Sequence, residues 1–144
     1  MVTKKKIILV HGLWNSPKVF NKFKDSLIRK NFEVLIPNLP HDSGRTSIKV
    51  LSKNFNDYIK QNLEDDDEID LLGFSMGGLI SRIWLQDMDG WRRTKNFLSI
   101  GSPHIGTLTA QFIPEKYFCG ISEMKLGSKL TRELNINSQY LKRI

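Results

Sequence analysis

The stretch Ile69-Asp70-Leu71-Leu72-Gly73-Phe74-Ser75-Met76-Gly77-Gly78 decides the fold. Its apolar lead, Ile69, Leu71 and Leu72, runs into Gly-Phe-Ser-Met-Gly and then into Leu79-Ile80-Ser81-Arg82-Ile83-Trp84-Leu85, which has helical spacing. Strand, sharp turn and helix follow one another, with Ser75 at the apex. A G-x-S-x-G pentapeptide in that context has the form of a nucleophile elbow. Sterics account for the small residues: a serine held in a strained turn leaves no room two positions to either side, hence Gly73 and Gly77. Gly78 lets the new helix pack close to the sheet. Ser75 then sits at a helix N-terminus, where free N–H groups and the helix dipole favour developing negative charge.

Toward the N-terminus, Ile7–Val10 is an unbroken aliphatic run of the kind found in a parallel strand covered on both faces. A loop, His11-Gly12-Leu13-Trp14-Asn15, follows it. Ser16-Pro17 reads as a helix start, with Ser as N-cap and Pro at the first helical position. Val19, Phe20, Phe23, Leu27 and Ile28 then recur at helical spacing and predict one buried face up to about Asn31. Phe32–Ile36 is the second expected strand, stopped by Pro37, and Pro37–Gly44 is a loop of turn formers. Ile48, Leu51, Phe55, Tyr58, Ile59 and Leu63 mark a second helix. The acidic run Glu64–Glu68 is expected to be a solvated connection, since it lacks the glycine and spaced ligands of a calcium loop.

Beyond the elbow helix, Asp87–Arg93 is polar and turn-like, and Phe97–Ile100 is the fourth strand. From Leu108 to Ile144 the helical signal is weak, clearest over Ser128–Leu134. Alternating strands and helices with buried strands predict a parallel α/β sheet with right-handed crossovers.

Composition bounds the function. With 144 residues the chain is expected to form one domain, long enough for a real core. The run Ile7–Val10 falls far short of the ~20 residues of a membrane span. Met1–Lys6 resembles a basic signal-peptide head, but the apolar part is too short and no small-residue cleavage site follows. That segment reads as a charged lead-in to a strand, and a cytoplasmic location is expected. Cys119 is the single cysteine, so no internal disulfide forms. Lys and Arg number 22 against 15 Asp and Glu, a net charge of +7. These cations are scattered from Lys4 to Arg143 without a nucleic-acid motif, so a solvated basic surface is expected and no nucleic-acid partner. His11, His41 and His104 lack ligand spacing, and neither a metal nor an organic cofactor is expected.

Three motifs in order, LVHGLW, GFSMGGL and IGSPHIGT, together resemble those of α/β-hydrolase lipases and esterases, nearest the small lipase and inositol-deacylase-like branch. MKLGSKLTRELN resembles a later segment of the same proteins. The resemblance spans most of the chain. It implies an α/β-hydrolase-type parallel sheet, with residues 1–144 forming a single, incomplete domain: the N-terminal portion only. It further implies that the backbone N–H groups of Leu13 and Met76 form an oxyanion hole for an acyl-enzyme on Ser75. Fixed donors at a developing oxyanion are worth about 2.7–4 kcal/mol each. Trp14 is expected to contact substrate, a carboxylic ester that is a small molecule or a lipid; thioester and aryl ester remain open, as does association with a membrane surface.

The base is the difficulty. A serine hydroxyl needs a histidine oriented by a carboxylate, and in α/β-hydrolases the order is Ser, Asp or Glu, then His. After Ser75 the chain offers only His104, in a motif whose histidine the resemblance makes structural, as it does His11. His41 is expected to face solvent. Asp87 and Asp89 lie at the far end of the elbow helix. The acid and histidine implied by the resemblance come after two further strands, so the chain is expected to be C-terminally incomplete and to hydrolyse poorly. Losing the base costs on the order of 10⁶ in turnover. The alternative is a non-catalytic remnant or binding module derived from such a hydrolase. A dinucleotide-binding module is excluded because Ser75-Met76 breaks G-x-G-x-x-G.

Overall fold

The computed structural model describes residues 4–144. Four strands, β1 (Lys5–Val10), β2 (Phe32–Leu35), β3 (Ile69–Phe74) and β4 (Thr94–Ile100), form one sheet in the order β2-β1-β3-β4. All three pairings are parallel, with Ile8 opposite Leu35 on one side and Leu71 on the other. This is the layered sheet expected from the alternation of elements. Met1–Thr3, the start of the basic lead-in, lie outside the described residues.

The helices divide between the faces. α1 (Asn21–Arg29) joins β1 to β2 and lies on one face, where Phe20 and Leu27 meet Ile7, Leu9 and Leu72. α2 (Ile48–Asn62) and α3 (Met76–Asp87) cover the other face, where Leu51, Phe55 and Ile59 meet Leu79, Ile83 and Trp84 over Ile8, Val10 and Leu71. Phe55 and Trp84 touch edge to face, ring centres 5.2 Å apart. Each such side chain fully withdrawn from water contributes about 1.5–3 kcal/mol. β1 is buried on both faces, which is why its sequence shows no polar alternation.

Two short helices follow the sheet: α4 (Cys119–Ser122) and α5 (Lys129–Ile136). The Ser128 hydroxyl accepts from Thr131 N–H and caps α5. Just past α4, the Glu123 carboxylate accepts from Ile48 N–H at 2.6 Å and from the Ser47 hydroxyl at 2.9 Å. It thereby satisfies the N-terminus of α2 and fastens the late segment to the body.

Several expectations are corrected. Ser16 is the N-cap and Pro17 the first helical residue as expected, but the Ser16 side chain makes no capping bond and the element they start is a 3-10 turn, Pro17–Phe20, before α1 begins at Asn21. Val19, Phe23 and Ile28 are exposed: of this stretch only Phe20, in the 3-10 turn, and Leu27, in α1, are buried against the sheet. β2 stops at Leu35, one residue short of Ile36. β4 begins at Thr94 rather than Phe97; its first three residues, Thr94, Lys95 and Asn96, are all polar and two are exposed on this edge strand, which hides its start. The acidic run is not wholly solvated. Asp67 pairs with Lys6 and accepts from Glu64 N–H, and the Lys6 ammonium holds its carboxyl below the usual carboxylate range.

Candidate active site

In the order β2-β1-β3-β4 the chain moves from β1 to one side and then returns to the other, so β1 and β3 flank a topological switch point. The crevice beyond the carboxyl ends of two such strands is where open α/β sheets bind ligands. Leu13 and Trp14 follow β1, and Ser75 follows β3. The fold thus brings these three residues to one cavity of about 610 Å³, which Ser75, Leu13 and Trp14 line together. Its remaining wall comes from the segment after β4, including Gly101, Ser102, Pro103, Ala110, Ile113, Ile121 and Met124. A wider hollow of about 770 Å³ opens at the other end of the strands, among Lys5, Lys6, Asp67, Asp70 and Lys95. Its lining pairs opposite charges and holds no nucleophile.

Ser75 has φ 54° and ψ −127°, close to the first central residue of a type II′ turn, a place glycine favours. Two hydrogen bonds hold it there. Its N–H donates to Ile100 C=O at 2.8 Å, and its C=O accepts from Gly78 N–H at 3.0 Å. Strain of this kind persists only where the surroundings impose it, and it concentrates at functional sites. The neighbouring glycines are close-approach positions. A Cβ on Gly77 would lie 2.1 Å from the Val10 carbonyl oxygen, and one on Gly12 would lie 2.7 Å from the Ser75 Cβ. The loop after β1 and the start of α3 are therefore pressed against each other around the serine.

Ser75 is half-buried, and its Oγ accepts or donates no hydrogen bond among the described residues. Met76 is the first residue of α3, so its N–H has no intrahelical acceptor. Leu13 N–H likewise finds no acceptor among the described residues, while Leu13 C=O accepts from the Asn15 amide at 3.0 Å. Ser102 Oγ is buried without a partner among the described residues. Met76 itself is buried, whereas Trp14 stands out at the cavity mouth with φ 56°.

None of the three histidines is hydrogen-bonded to Ser75. His11 is buried; its Nε2 accepts from Leu39 N–H at 3.0 Å, so Nδ1 carries the proton and donates to Gly12 C=O at 3.1 Å. Both nitrogens are occupied, and burial pushes its pKa down. His104 Nδ1 accepts from Arg82 Nη1 at 3.3 Å, since a guanidinium can only donate, and its Nε2–H donates to Ser99 Oγ at 2.7 Å. Burial first, then the Arg82 charge, lowers its pKa and keeps the ring neutral. His41 is not solvent-facing as expected. It is half-buried, its Nε2–H donates to Asn15 C=O at 3.3 Å, and its Nδ1 is buried and unpartnered among the described residues.

Sequence reasoning passed over Arg82. Nearly fully buried, it donates to Gln86 Oε1, His104 Nδ1, Asn135 Oδ1 and Leu134 C=O, with no carboxylate among its partners. It joins α3 to α5 and, through His104, to the cavity loop. The signal was present: Arg82 is the one charged residue within the apolar run 79–85. Its partners near residue 135 were invisible, because nothing in the spacing links them.

The sheet, its switch point and the serine turn together define the α/β-hydrolase fold. The palmitoyl protein thioesterase family matches this chain over residues 6–143, and the chain belongs to that family. The lysosomal thioesterase PPT2 of Mus musculus is 29% identical over 106 residues, 71% of this chain and 35% of that protein. The chain thus spans about a third of the length of this curated relative. Among solved structures, Bacillus licheniformis lipase BlEst2 in its mature form superposes with a TM-score of 0.74 at 14% identity, covering 99% of this chain and 63% of that one. Aspergillus fumigatus lipase B gives 0.72 at 18% identity, covering 91% of this chain and 33% of that one. At those identities the two structures establish the shared fold alone.

Proposed function

We propose that this chain carries the nucleophile and oxyanion hole of an esterase-type hydrolase acting on a fatty acyl ester or thioester. The observation that carries the reading is the Ser75 turn: a strained serine, clamped from both sides, at the mouth of an apolar cavity and the start of a helix. Ser75 Oγ attacks the acyl carbonyl carbon. The developing oxyanion is received by the N–H groups of Leu13 and Met76, which no acceptor engages among the described residues. The alcohol or thiol leaves with a proton, and water then releases the acid from the acyl-enzyme. Ala110, Ile113, Ile121 and Met124 form an apolar wall suited to a hydrocarbon chain, with Trp14 at its entrance. The names of the family and of the mouse relative favour a thioester. The cytoplasmic location expected for the chain belongs to this proposal and is checked by cell fractionation.

A second reading, a binding module that keeps the elbow without turnover, is favoured by one observation: no described histidine is bonded to Ser75. Labelling with a fluorophosphonate separates the two. The hydrolase reading expects covalent modification at Ser75, absent in Ser75→Ala, even where steady-state turnover is slow. A folded protein that takes up no label establishes the binding module instead.

A further inference from the structure

We propose that His104 is a positioning residue for the Ser75 turn: its neutral ring, locked against Arg82, keeps the turn in place and releases it in acid. One consequence, acid-sensitive reaction at Ser75, rests on Ser75 being the nucleophile; the release itself does not.

Three elements meet at this histidine. From α3, Arg82 Nη1–H donates to the ring Nδ1, and from β4, Ser99 Oγ accepts from Nε2–H. From α5, Asn135 Nδ2–H donates to His104 C=O at 3.0 Å, while its Oδ1 accepts from Arg82 at 2.9 Å. Arg82, His104 and Asn135 thus close a triangle. The His104 N–H adds a bond to Ser102 C=O at 2.9 Å, which folds the loop after β4 back on itself. That loop leads straight to the site. Ile100, immediately before it, offers its C=O to the Ser75 N–H at 2.8 Å. The Ser99 and Ser102 hydroxyls lie against Gly78 in the first turn of α3, where an added Cβ would come within 2.7 Å and 2.0 Å of them. The ring therefore steadies both the carbonyl that clamps Ser75 and the surface on which the Met76 end of α3 rests.

Only one protonation state fits this arrangement. A guanidinium offers donors alone, so Nδ1 must be bare and the ring proton sits on Nε2, where Ser99 Oγ takes it. A second proton, on Nδ1, would set N–H against N–H and bring a positive charge beside Arg82. Arg82 is nearly fully buried, is tied to Gln86, Asn135 and Leu134, and keeps its own proton, so the histidine is the side that yields. No anion offsets the pair among its described contacts: Ser99 from β4 and Asn135 from α5 are neutral, and the loop 101–107 carries no Lys, Arg, Asp or Glu. Burial and the Arg82 charge place the change below the ordinary histidine value of 6.5.

The test follows two quantities from about pH 5 to 8. One is hydrogen-exchange protection of the Ser75 amide in unlabelled protein, corrected for the intrinsic pH dependence of exchange. The other is the rate of fluorophosphonate labelling at Ser75. Both are expected to hold level above the ordinary histidine value and to fall below it along a limb of about one proton. His104→Leu, which can neither accept nor donate, should lower the protection and slow labelling on the order of tenfold at neutral pH. His104→Gln, which can do both without titrating, should restore much of that loss and erase the acid limb. Should circular dichroism find His104→Leu unfolded, Ser99→Ala takes its place: it removes the acceptor of Nε2–H, keeps the Arg82 contact, and should lower Ser75 protection likewise. An acid limb in the protection that persists in His104→Gln overturns the proposal, as does protection indifferent to His104→Leu and Ser99→Ala. A folded chain that never labels, yet loses Ser75 protection in acid only while His104 is present, refutes the nucleophile and supports the release.

Discussion

Replacing Ser75 with glycine is expected to stabilise the protein while removing the proposed nucleophile. At φ 54° and ψ −127° the serine Cβ is held in a region that L-residues avoid. Such a conformation costs about 1–3 kcal/mol. Glycine adopts it freely but loosens the unfolded chain, which returns about 0.5–1 kcal/mol. The balance is a gain of roughly 1 kcal/mol, rising to ~2 if the strain lies at the upper end. At ~2.1 cal/mol/K per residue, 144 residues have an unfolding entropy near 0.3 kcal/mol/K, so Tm should rise by about 3–7 °C. Ser75→Ala is the control. It keeps the Cβ and its strain, and it loses a hydroxyl that has no hydrogen bond among the described residues, so its Tm should stay close to that of the unaltered chain. Calorimetry at one pH on all three proteins reads the difference. A glycine variant that melts at or below the alanine variant would refute the reasoning, because the turn would then carry no strain to release.

Gly77→Ala should reduce both stability and labelling at Ser75. The new Cβ would fall 2.1 Å from Val10 C=O and 2.7 Å from His11 C=O, backbone groups that cannot rotate aside. Overpacking of this sort costs about 1–3 kcal/mol, read by urea unfolding. The label rate should fall at least about tenfold as Met76 N–H shifts, and an unchanged rate would remove Met76 from the proposed oxyanion hole. Stability should also decline below pH 6.5, the ordinary histidine value. His11 and His104 have lowered pKa values when folded, so their contribution is full above 6.5 and is lost as pH falls toward the folded values. His104→Gln should flatten that part of a Tm-against-pH curve, and an identical slope would exclude His104 as a source. Leu98 and Ile100, on the β4 edge strand, are 55% and 46% exposed on the α1 side. Leu98→Lys combined with Ile100→Thr should suppress light scattering at high concentration with a stability change of about 0.5 kcal/mol or less. Undiminished scattering would locate the aggregating surface elsewhere.

Elements that bury themselves announced themselves. Ile7–Val10 of β1 is a continuous apolar run, and Leu71 and Leu72 of β3 are adjacent and apolar, because both faces are covered there; α2 shows Leu51, Phe55 and Ile59 at helical spacing because one side rests on the sheet. Legibility fails where burial is partial or depends on distant residues. Val19, Phe23 and Ile28 carry the same spacing as Phe20 and Leu27 yet stay exposed, since a helical stripe cannot say how wide a surface will meet it. The front of β4 was missed because its outer residues are solvated. The cavity wall from Ala110 to Met124 has only short 3-10 and α turns, too brief for any period to emerge. His104 was readable as a motif, but its bond to Arg82 links residues whose separation in sequence predicts nothing.

Charge carries the clearest trace of the candidate site in the sequence. The stretches 7–17, 71–81 and 96–114 are the longest without Lys, Arg, Asp or Glu, and no spacing rule connects them. The fold brings all three to one place: Leu13 and Trp14 from the first, Ser75 from the second, Gly101 to Ile113 from the third. An ion beside a half-closed cavity would lose hydration without a partner, and a fixed anion there would oppose the charge that acyl transfer builds on oxygen. Arg82, directly after the second stretch, obeys the same constraint from behind. Its guanidinium is turned away toward α5 and satisfied by neutral acceptors, so α3 carries a cation without presenting it to the cavity. An apolar lining alone would suit any core. Three uncharged segments converging on a strained serine at the switch point instead fit a place where charge is meant to appear only during reaction.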